Sequence, residues 1–264
     1  MRPRGGHEYA DGPMGVRALT TGRVRKKRAE RGVGRYLSRD WADTTLPVLS
    51  FLVEHPDGLC LFDAGQTARA AEPGWFPPWY PFFRLARFEL GAEDEAAPQL
   101  ARLGHDPGDV RWIVLSHLHT DHVGGLDAFP YADVIVSRRE WERATGLGGR
   151  LRGYLPQHWP KEIRPRLVDL DGPPLGPFPA THDLLGDGRL VLVPTPGHTP
   201  SHMGLLVADD GRTLLLAGDV AETAVELPAV APDLAEWCSA EHVVVLTAHD
   251  DLAPSFLADA AVRS

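Results

Sequence analysis

Apolar residues fall along the chain in short runs separated by turn signals, a rhythm that suits β-strands better than long helices. Leu46 to Val53 (LPVLSFLV) and Leu59 to Phe62 (LCLF) flank EHPDG, which predicts a strand, a tight turn and a second strand. Gly204 to Ala208 (GLLVA) and Thr213 to Ala217 (TLLLA) flank a DDG turn in the same way. The two stretches resemble each other. FLVEHPDGLCLFDAG (Phe51 to Gly65) parallels LLVADDGRTLLLAGD (Leu205 to Asp219), each a hairpin whose second strand ends in small residues and an aspartate. Such halves suggest two related sheets, although short apolar hairpins also match by chance.

Between and after the hairpins the pattern alternates. Glu95 to Gly104 predicts a helix ended by Gly104. Val110 to Leu115 and Asp133 to Val136 predict strands, and Arg138 to Thr145 a helix. Arg189 to Val193 predicts a strand, Pro232 to Ser239 a helix, and His242 to Thr247 a last strand, with Asp171 to Pro179 (DGPPLGPFP) a loop. Strands mixed with helices along the whole length predict an α/β sandwich with sheets inside and helices outside. No domain boundary is visible. A flexible segment over residues 1–15, rich in glycine, proline and charge, is expected to precede one domain over residues 16–264.

Composition narrows the possibilities. The 264 residues include 43% hydrophobic ones, enough to bury a core. The formal net charge of −9 argues against a nucleic-acid partner. One basic stretch, Arg23 to Arg35, reads as a solvated loop or strand edge, or else as a patch for acidic partners or anionic lipid. Cys60 and Cys238 form no CxxC pair, so neither a disulfide framework nor a thiolate zinc site is expected. The first residues contain no apolar secretory core, and no apolar run approaches the roughly 20 residues that span a bilayer. A cytoplasmic protein is the expectation, as a monomer or homodimer.

The chemistry concentrates in Ser116 to Gly125, SHLHTDHVGG, directly after an apolar strand. It holds His117, His119, Asp121 and His122 within six positions. Histidines at i and i+2 of an extended segment point the same way, and a following turn can bring the next two residues to the same space. Imidazole and carboxylate suit zinc and similar divalent ions. Three further residues sit at the ends of apolar strands: His198 after RLVLVPTPG, Asp219 after TLLLAG and His249 after HVVVLTA. Seven such side chains exceed the needs of one four-coordinate zinc and fit two metals sharing a carboxylate.

His-x-His-x-Asp-His after a strand, then His, Asp and His at later strand ends, resembles the metallo-β-lactamase superfamily. SHLHTDHVGG with VSRREWERA and PTPGHTPSH is most similar to its N-acyl-homoserine-lactonase-like branch. The resemblance implies a four-layer αββα sandwich and a two-metal site. His117, His119 and His198 would hold one cation. Asp121, His122 and His249 would hold the other, Asp219 would bridge, and a hydroxide would lie between the metals. Zinc is the expected metal, with iron, manganese or cobalt as alternatives. The metals would polarise a carbonyl and activate the hydroxide, and Asp121 and Asp219 would serve the reaction, Asp121 by passing a proton to the leaving group. The implied substrate is a small ester or lactone with an apolar acyl part, such as an N-acyl homoserine lactone.

Some residues carry two readings. Asp63, in LCLFDAG, resembles an acid that orients a metal ligand, or else a turn cap. His202, four residues after His198, either supports the site or is an ordinary hydrogen-bonded histidine. Trp75 and Phe76 open an aromatic-rich stretch to Phe88 that either packs on the sandwich or walls the metal cleft. His7, His55, His105, His158, His182 and His242 show no ligand pattern. Two departures bear on the substrate. Lactonases of this branch typically carry a tyrosine three residues after the bridging aspartate, where this chain has Glu222, and no tyrosine follows Asp219. The segment between Asp219 and His249 also looks shortened. Thioester hydrolysis of the glyoxalase II kind, phosphodiester hydrolysis, a one-iron persulfide dioxygenase and a metal-bearing binding protein stay open as alternatives.

Overall fold

A computed structural model describes residues 14–27, 40–77, 86–209 and 211–261. Two mixed sheets lie at its centre. The first is built from β1 (Gly15–Lys26), β2 (Leu46–His55), β3 (Gly58–Phe62), β4 (Ala86–Glu89), β5 (Val110–Val114), β6 (Asp133–Ser137) and β7 (Arg166–Val168). Their spatial order is β4-β1-β2-β3-β5-β6-β7. The second contains β8 (His182–Asp183), β9 (Leu190–Pro194), β10 (Met203–Asp209), β11 (Arg212–Gly218) and β12 (Val244–Thr247), in the order β12-β11-β10-β9-β8.

The strands read as unbroken apolar runs because both faces are covered. Alternate residues point opposite ways. Phe51 and Val53 of β2, Cys60 and Phe62 of β3 and Trp112 and Val114 of β5 meet Leu205 and Val207 of β10 and Leu214 and Leu216 of β11 in the layer between the sheets. Their neighbours Leu52, Leu61 and Ile113 face outward onto helices α1 (Ala96–Arg102) and α3 (Arg138–Thr145). On the far side, Leu206 and Leu215 pack against helix α5 (Pro232–Ala240) through Leu234 and Cys238. The result is the expected αββα sandwich. The remaining helices are the one-turn α2 (Thr120–Val123), the short α4 (Leu227–Val230) and α6 (Ala253–Ala261).

Both predicted hairpins form, and their surroundings match. Strand β2 pairs antiparallel with β3, which pairs parallel with β5. Likewise β10 pairs antiparallel with β11, which pairs parallel with β12. The sheets are joined along one edge by backbone bonds, Met203 N–H to the Ser116 carbonyl at 3.0 Å and Leu49 N–H to the Ala248 carbonyl at 2.9 Å. The loops after β5, β9, β11 and β12, which carry the seven candidate ligands, belong to this edge.

Several elements depart from the sequence reading. Most of the segment expected to be flexible, residues 1–13, lies outside the described residues, while Met14 is buried and Gly15 opens β1. The start of the basic stretch is the end of this strand, one of the readings the sequence offered, and its charges are paired. Arg23 pairs with Asp251 and Arg25 with Glu89, both at 2.9 Å, and Lys26 pairs with Glu222. Residues 28–35 of that stretch are outside the described residues, as are 78–85 of the aromatic one. Short β4, β7 and β8 were not anticipated; at two to four residues they have little periodicity to detect. Among the described residues no helix is long and apolar enough to cross a membrane.

Candidate metal centre

The loop after β5 is shaped by its neighbours. His119 keeps an extended backbone (φ −74°, ψ 161°) and caps α2, whose single turn swings Asp121 and His122 back toward His117. Two glycines then allow close packing on the segment after β3. A Cβ on Gly124 would lie 2.4 Å from Gln66 Oε1, and one on Gly125 only 2.3 Å from the Ala64 carbonyl oxygen. Ala64 N–H donates to the His122 carbonyl at 2.8 Å, and Gly125 N–H to that of Gly65 at 3.2 Å. The VGG that follows the histidine motif is therefore a packing requirement.

All seven residues singled out from the sequence converge. His117, His119 and His198 form one group with ligand atoms within 4.8 Å of one another; His117, His122 and Asp219 form a second; Asp121, His122 and His249 form a third. In the first group His119 Nδ1 is 3.0 Å from His117 Nε2 and 2.9 Å from His198 Nε2. Asp219 stands between the outer groups. Its Oδ2 is 3.5 Å from His198 Nε2, while Oδ1 is 3.4 Å from His122 Nε2 and 3.5 Å from His249 Nε2. Asp121 Oδ2 lies 3.7 Å from His249 Nε2.

The outward nitrogens show where the protons are. His249 Nδ1–H donates to the Pro47 carbonyl at 2.7 Å, His119 Nε2–H to that of Arg152 at 3.0 Å, and His122 Nδ1–H to Asp63 Oδ2 at 2.8 Å. Each of these rings thus turns its other nitrogen inward, the one that a cation would take. His122 Nε2 and Asp219 Oδ1 are buried with no hydrogen-bond partner. Buried polar atoms left in this state are costly, and a divalent ion among them removes the cost. Five imidazoles and two carboxylates form a donor set proper to zinc-like metals.

Electrostatics separates the two ends. Burial pushes His117, His119 and His198 below the ordinary histidine value, helped by neighbouring imidazoles, so they are neutral and ready to ligate. Burial opposes charge at His122 and His249 as well, yet Asp219 and the other nearby carboxylates outweigh it and raise both. Asp219 is in turn held well below the carboxylate range by His122 and His249, against its burial. A cation entering this end displaces protons, so acid competes with metal there.

The supporting residues divide unevenly. Asp63 holds His122 and also accepts from Ser116 N–H at 2.7 Å and Ser116 Oγ–H at 2.8 Å, from a left-handed backbone (φ 61°). His202 is buried beneath Asp219. Its Nε2 accepts the Asp219 N–H at 3.1 Å, so its Nδ1–H donates to Thr195 Oγ1 at 2.7 Å, and burial pushes it down to about 3. Trp75 and Phe76 instead join a cluster with Val24, Val48 and Phe88, and Trp75 stacks on His158 with ring centres 4.2 Å apart. Their contacts are those of packing, and Trp75 adds a bond from His158 Nε2–H to its carbonyl.

Sequence reasoning missed Glu140, a fully buried carboxylate on α3. Its Oε1 accepts from Tyr154 OH at 2.8 Å and from Leu118 N–H at 3.3 Å, and its Oε2 accepts from Thr199 Oγ1–H at 3.0 Å. Leu118 lies between His117 and His119, Thr199 follows His198, and the Tyr154 ring lies 5.2 Å from that of His119. One acid therefore braces the whole three-histidine group. The available signal was an acid one helical turn before buried Ala144, on the apolar face of α3.

Comparison with known proteins agrees with this geometry. Residues 43–254 match the model of the metallo-beta-lactamase superfamily, and the chain belongs to that superfamily. It is 35% identical to the N-acyl homoserine lactonase AttM of Rhizobium radiobacter over 194 residues, 69% of this chain and 68% of that one. It is 37% identical to a probable metallo-hydrolase of Mycobacterium tuberculosis over 176 residues, 64% of this chain and 54% of that one. Among solved structures, an N-acyl homoserine lactone hydrolase with N-hexanoyl-L-homoserine at its catalytic metal centre superposes with a TM-score of 0.69 at 23% identity, covering 89% of this chain and 93% of that one. A dizinc quorum-quenching lactonase, AidC, superposes at 0.62 with 17% identity, covering 91% and 88%. The chain is a metal-dependent hydrolase of the lactonase-like branch of its superfamily.

Proposed function

We propose that this chain binds two zinc-like cations and hydrolyses an ester or lactone, with N-acyl homoserine lactones as the substrate class. The observation that carries the reading is Asp219, whose two oxygens face different ligand groups, Oδ2 toward His198 and Oδ1 toward His122 and His249. His117, His119 and His198 would hold one cation and Asp121, His122 and His249 the other. When bound, the pair would supply an activated water at neutral pH and a Lewis acid for the carbonyl. Asp121 is half-buried beside His249, placed to hold a proton and deliver it to the departing ring oxygen. Asp219, fixed by His202 through its N–H, keeps both groups in register. The second ligand group supports two metals over the one-iron alternative.

The acyl part has apolar surface at hand. Leu147 and Leu151 are exposed in the segment whose Arg152 carbonyl holds His119. The relatives named as N-acyl homoserine lactonases support the same substrate class. The test is metal analysis paired with turnover of lactones of rising acyl length, beside thioester and phosphodiester controls. The expected result is two equivalents of metal and ring opening that improves with chain length. One equivalent of iron with oxygen consumption, or turnover of the controls alone, overturns the reading.

A further inference from the structure

The segment that follows Asp219 passes from the neighbourhood of His198 to that of His249. At its start, the Val220 carbonyl oxygen lies 3.9 Å from where a Cβ on Gly197 would sit, and His198 is the next residue after Gly197. At its end, Ala224 N–H donates to Asp250 Oδ2 at 3.0 Å, and Asp250 directly follows His249. Between these points Thr247 Oγ1–H donates to the Glu222 carbonyl at 3.2 Å.

The bond to Asp250 closes a ring. Strands β11 and β12 run parallel, and at their ends Ala248 N–H donates to the Gly218 carbonyl at 2.9 Å. From Gly218 the chain runs through Asp219 to Ala224, crosses to Asp250, and returns through His249 to Ala248. Asp219 and His249 thus belong to one ring fastened at both ends, with Asp219 Oδ1 3.5 Å from His249 Nε2. Asp250 is buried, and its other oxygen, Oδ1, accepts Leu252 N–H at 2.9 Å in the turn that leads into α6. A turn of this kind needs one side-chain oxygen. The bond from the second oxygen to Ala224, 26 residues away, lies outside that need.

We propose that Asp250 is a positioning residue for the metal centre: by holding Ala224 it fixes the segment after Asp219 against His249, and so keeps Asp219 and His249 at the spacing that a shared cation requires. This rests on the two-metal reading and names a residue that sets how firmly its second group binds. The test is Ala224→Pro, which deletes the donor and leaves Asp250 its bond with Leu252. Ala224 opens a single helical turn, and Thr223 before it is extended (φ −130°, ψ 159°), so proline fits the backbone there. Cobalt titration of the metal-stripped protein, competed with a fluorescent chelator, is expected to show one cation bound about tenfold more weakly and the other unmoved. The visible cobalt spectrum should change as well, and kcat for the lactone should fall more than KM rises. Asp250→Ser supplies one oxygen for the turn with Leu252 and leaves none for Ala224, so it should behave in the same way.

Wild-type protein gives an independent measure. Coupling is reciprocal, so a clamp that favours the cation is favoured by it in turn, and metal should slow hydrogen exchange at the Ala224 amide by about the same tenfold. Wild-type affinity for both cations with an unchanged spectrum in Ala224→Pro would make Asp250 a turn residue only and overturn the proposal. Equal exchange at Ala224 in loaded and stripped wild type overturns it too. Both results leave the two-metal reading standing, because that rests on the stoichiometry of wild type in the same titration.

Discussion

The hairpins β2–β3 and β10–β11 begin as near copies and end in different chemistry. Each runs into a left-handed residue. In the first hairpin that residue is Asp63 itself (φ 61°); in the second it is Gly218 (φ 51°), and the aspartate comes one place later. The one-residue offset decides the outcome. Asp63 accepts from Ser116 N–H, Ser116 Oγ–H and His122 Nδ1–H, so protein donors saturate its carboxylate. Asp219 donates its own N–H to His202 and is left with Oδ1 buried and unpartnered. A carboxylate satisfied by protein is a brace, and one left without a protein donor among histidines is suited to take a cation. Gly218 also permits the approach, because a Cβ there would sit 2.7 Å from His202 Nε2.

Substitution should break this contrast unequally. The largest effect is expected from Asp219→Ala. Loss of the shared carboxylate should release at least one cation and lower kcat/KM by about a thousandfold or more, the scale of a lost Lewis acid. Unchanged metal stoichiometry in plasma emission analysis would show that Asp219 does not bridge. Asp63→Asn comes next. Asparagine tolerates the left-handed backbone, so this change removes charge rather than shape. Affinity for the cation at His122 should fall about 10–100-fold, with the His117, His119 and His198 group little altered. Competition with a fluorescent chelator reads this, and equal loss at both groups would refute the assignment.

Glu140→Gln turns an acceptor into a donor beside Thr199. It should cost about 1–3 kcal/mol of stability in denaturant unfolding. It should also change the visible spectrum of the cobalt-substituted protein, through the first group. A stability loss with an unchanged spectrum would make Glu140 a core residue only. The smallest effect concerns His158. Burial against Trp75 lowers its proton affinity, and its Nδ1 is buried with no partner. The unfolded chain then binds more protons than the folded one below the ordinary histidine value of about 6.5. Stability should therefore fall as pH drops through and below that value. In His158→Gln the acid limb of the Tm–pH curve should flatten slightly, and an unchanged limb would assign the acid sensitivity elsewhere.

The convergence of the seven candidate ligands was legible because each follows an apolar strand, and strand ends on one sheet edge come together almost without choice. The four layers were legible because two covered faces leave strands uniformly apolar. Asp63 and His202 could be named as candidates, but only coordinates give them partners. Glu140 was hidden because its three donors come from Leu118, Tyr154 and Thr199, brought together by tertiary packing alone. Strand β1 was hidden by Arg23, Arg25 and Lys26, whose partners Asp251, Glu89 and Glu222 lie far along the chain. Charge on a strand looks like solvent until the opposite charge is located. Trp75 and Phe76 show the converse ambiguity: on sequence they fit packing or a ligand wall, and their contacts with Val24, Val48 and Phe88 are those of packing.

The two peptide links at the sheet edge, from Met203 to Ser116 and from Leu49 to Ala248, fasten the flanks of the cleft without help from any side chain. They make the cradle a property of the scaffold. Arrival of an ion is then a docking event on a surface already cut to shape, and chelated protein should recover as fast as a hydrated cation can shed its water.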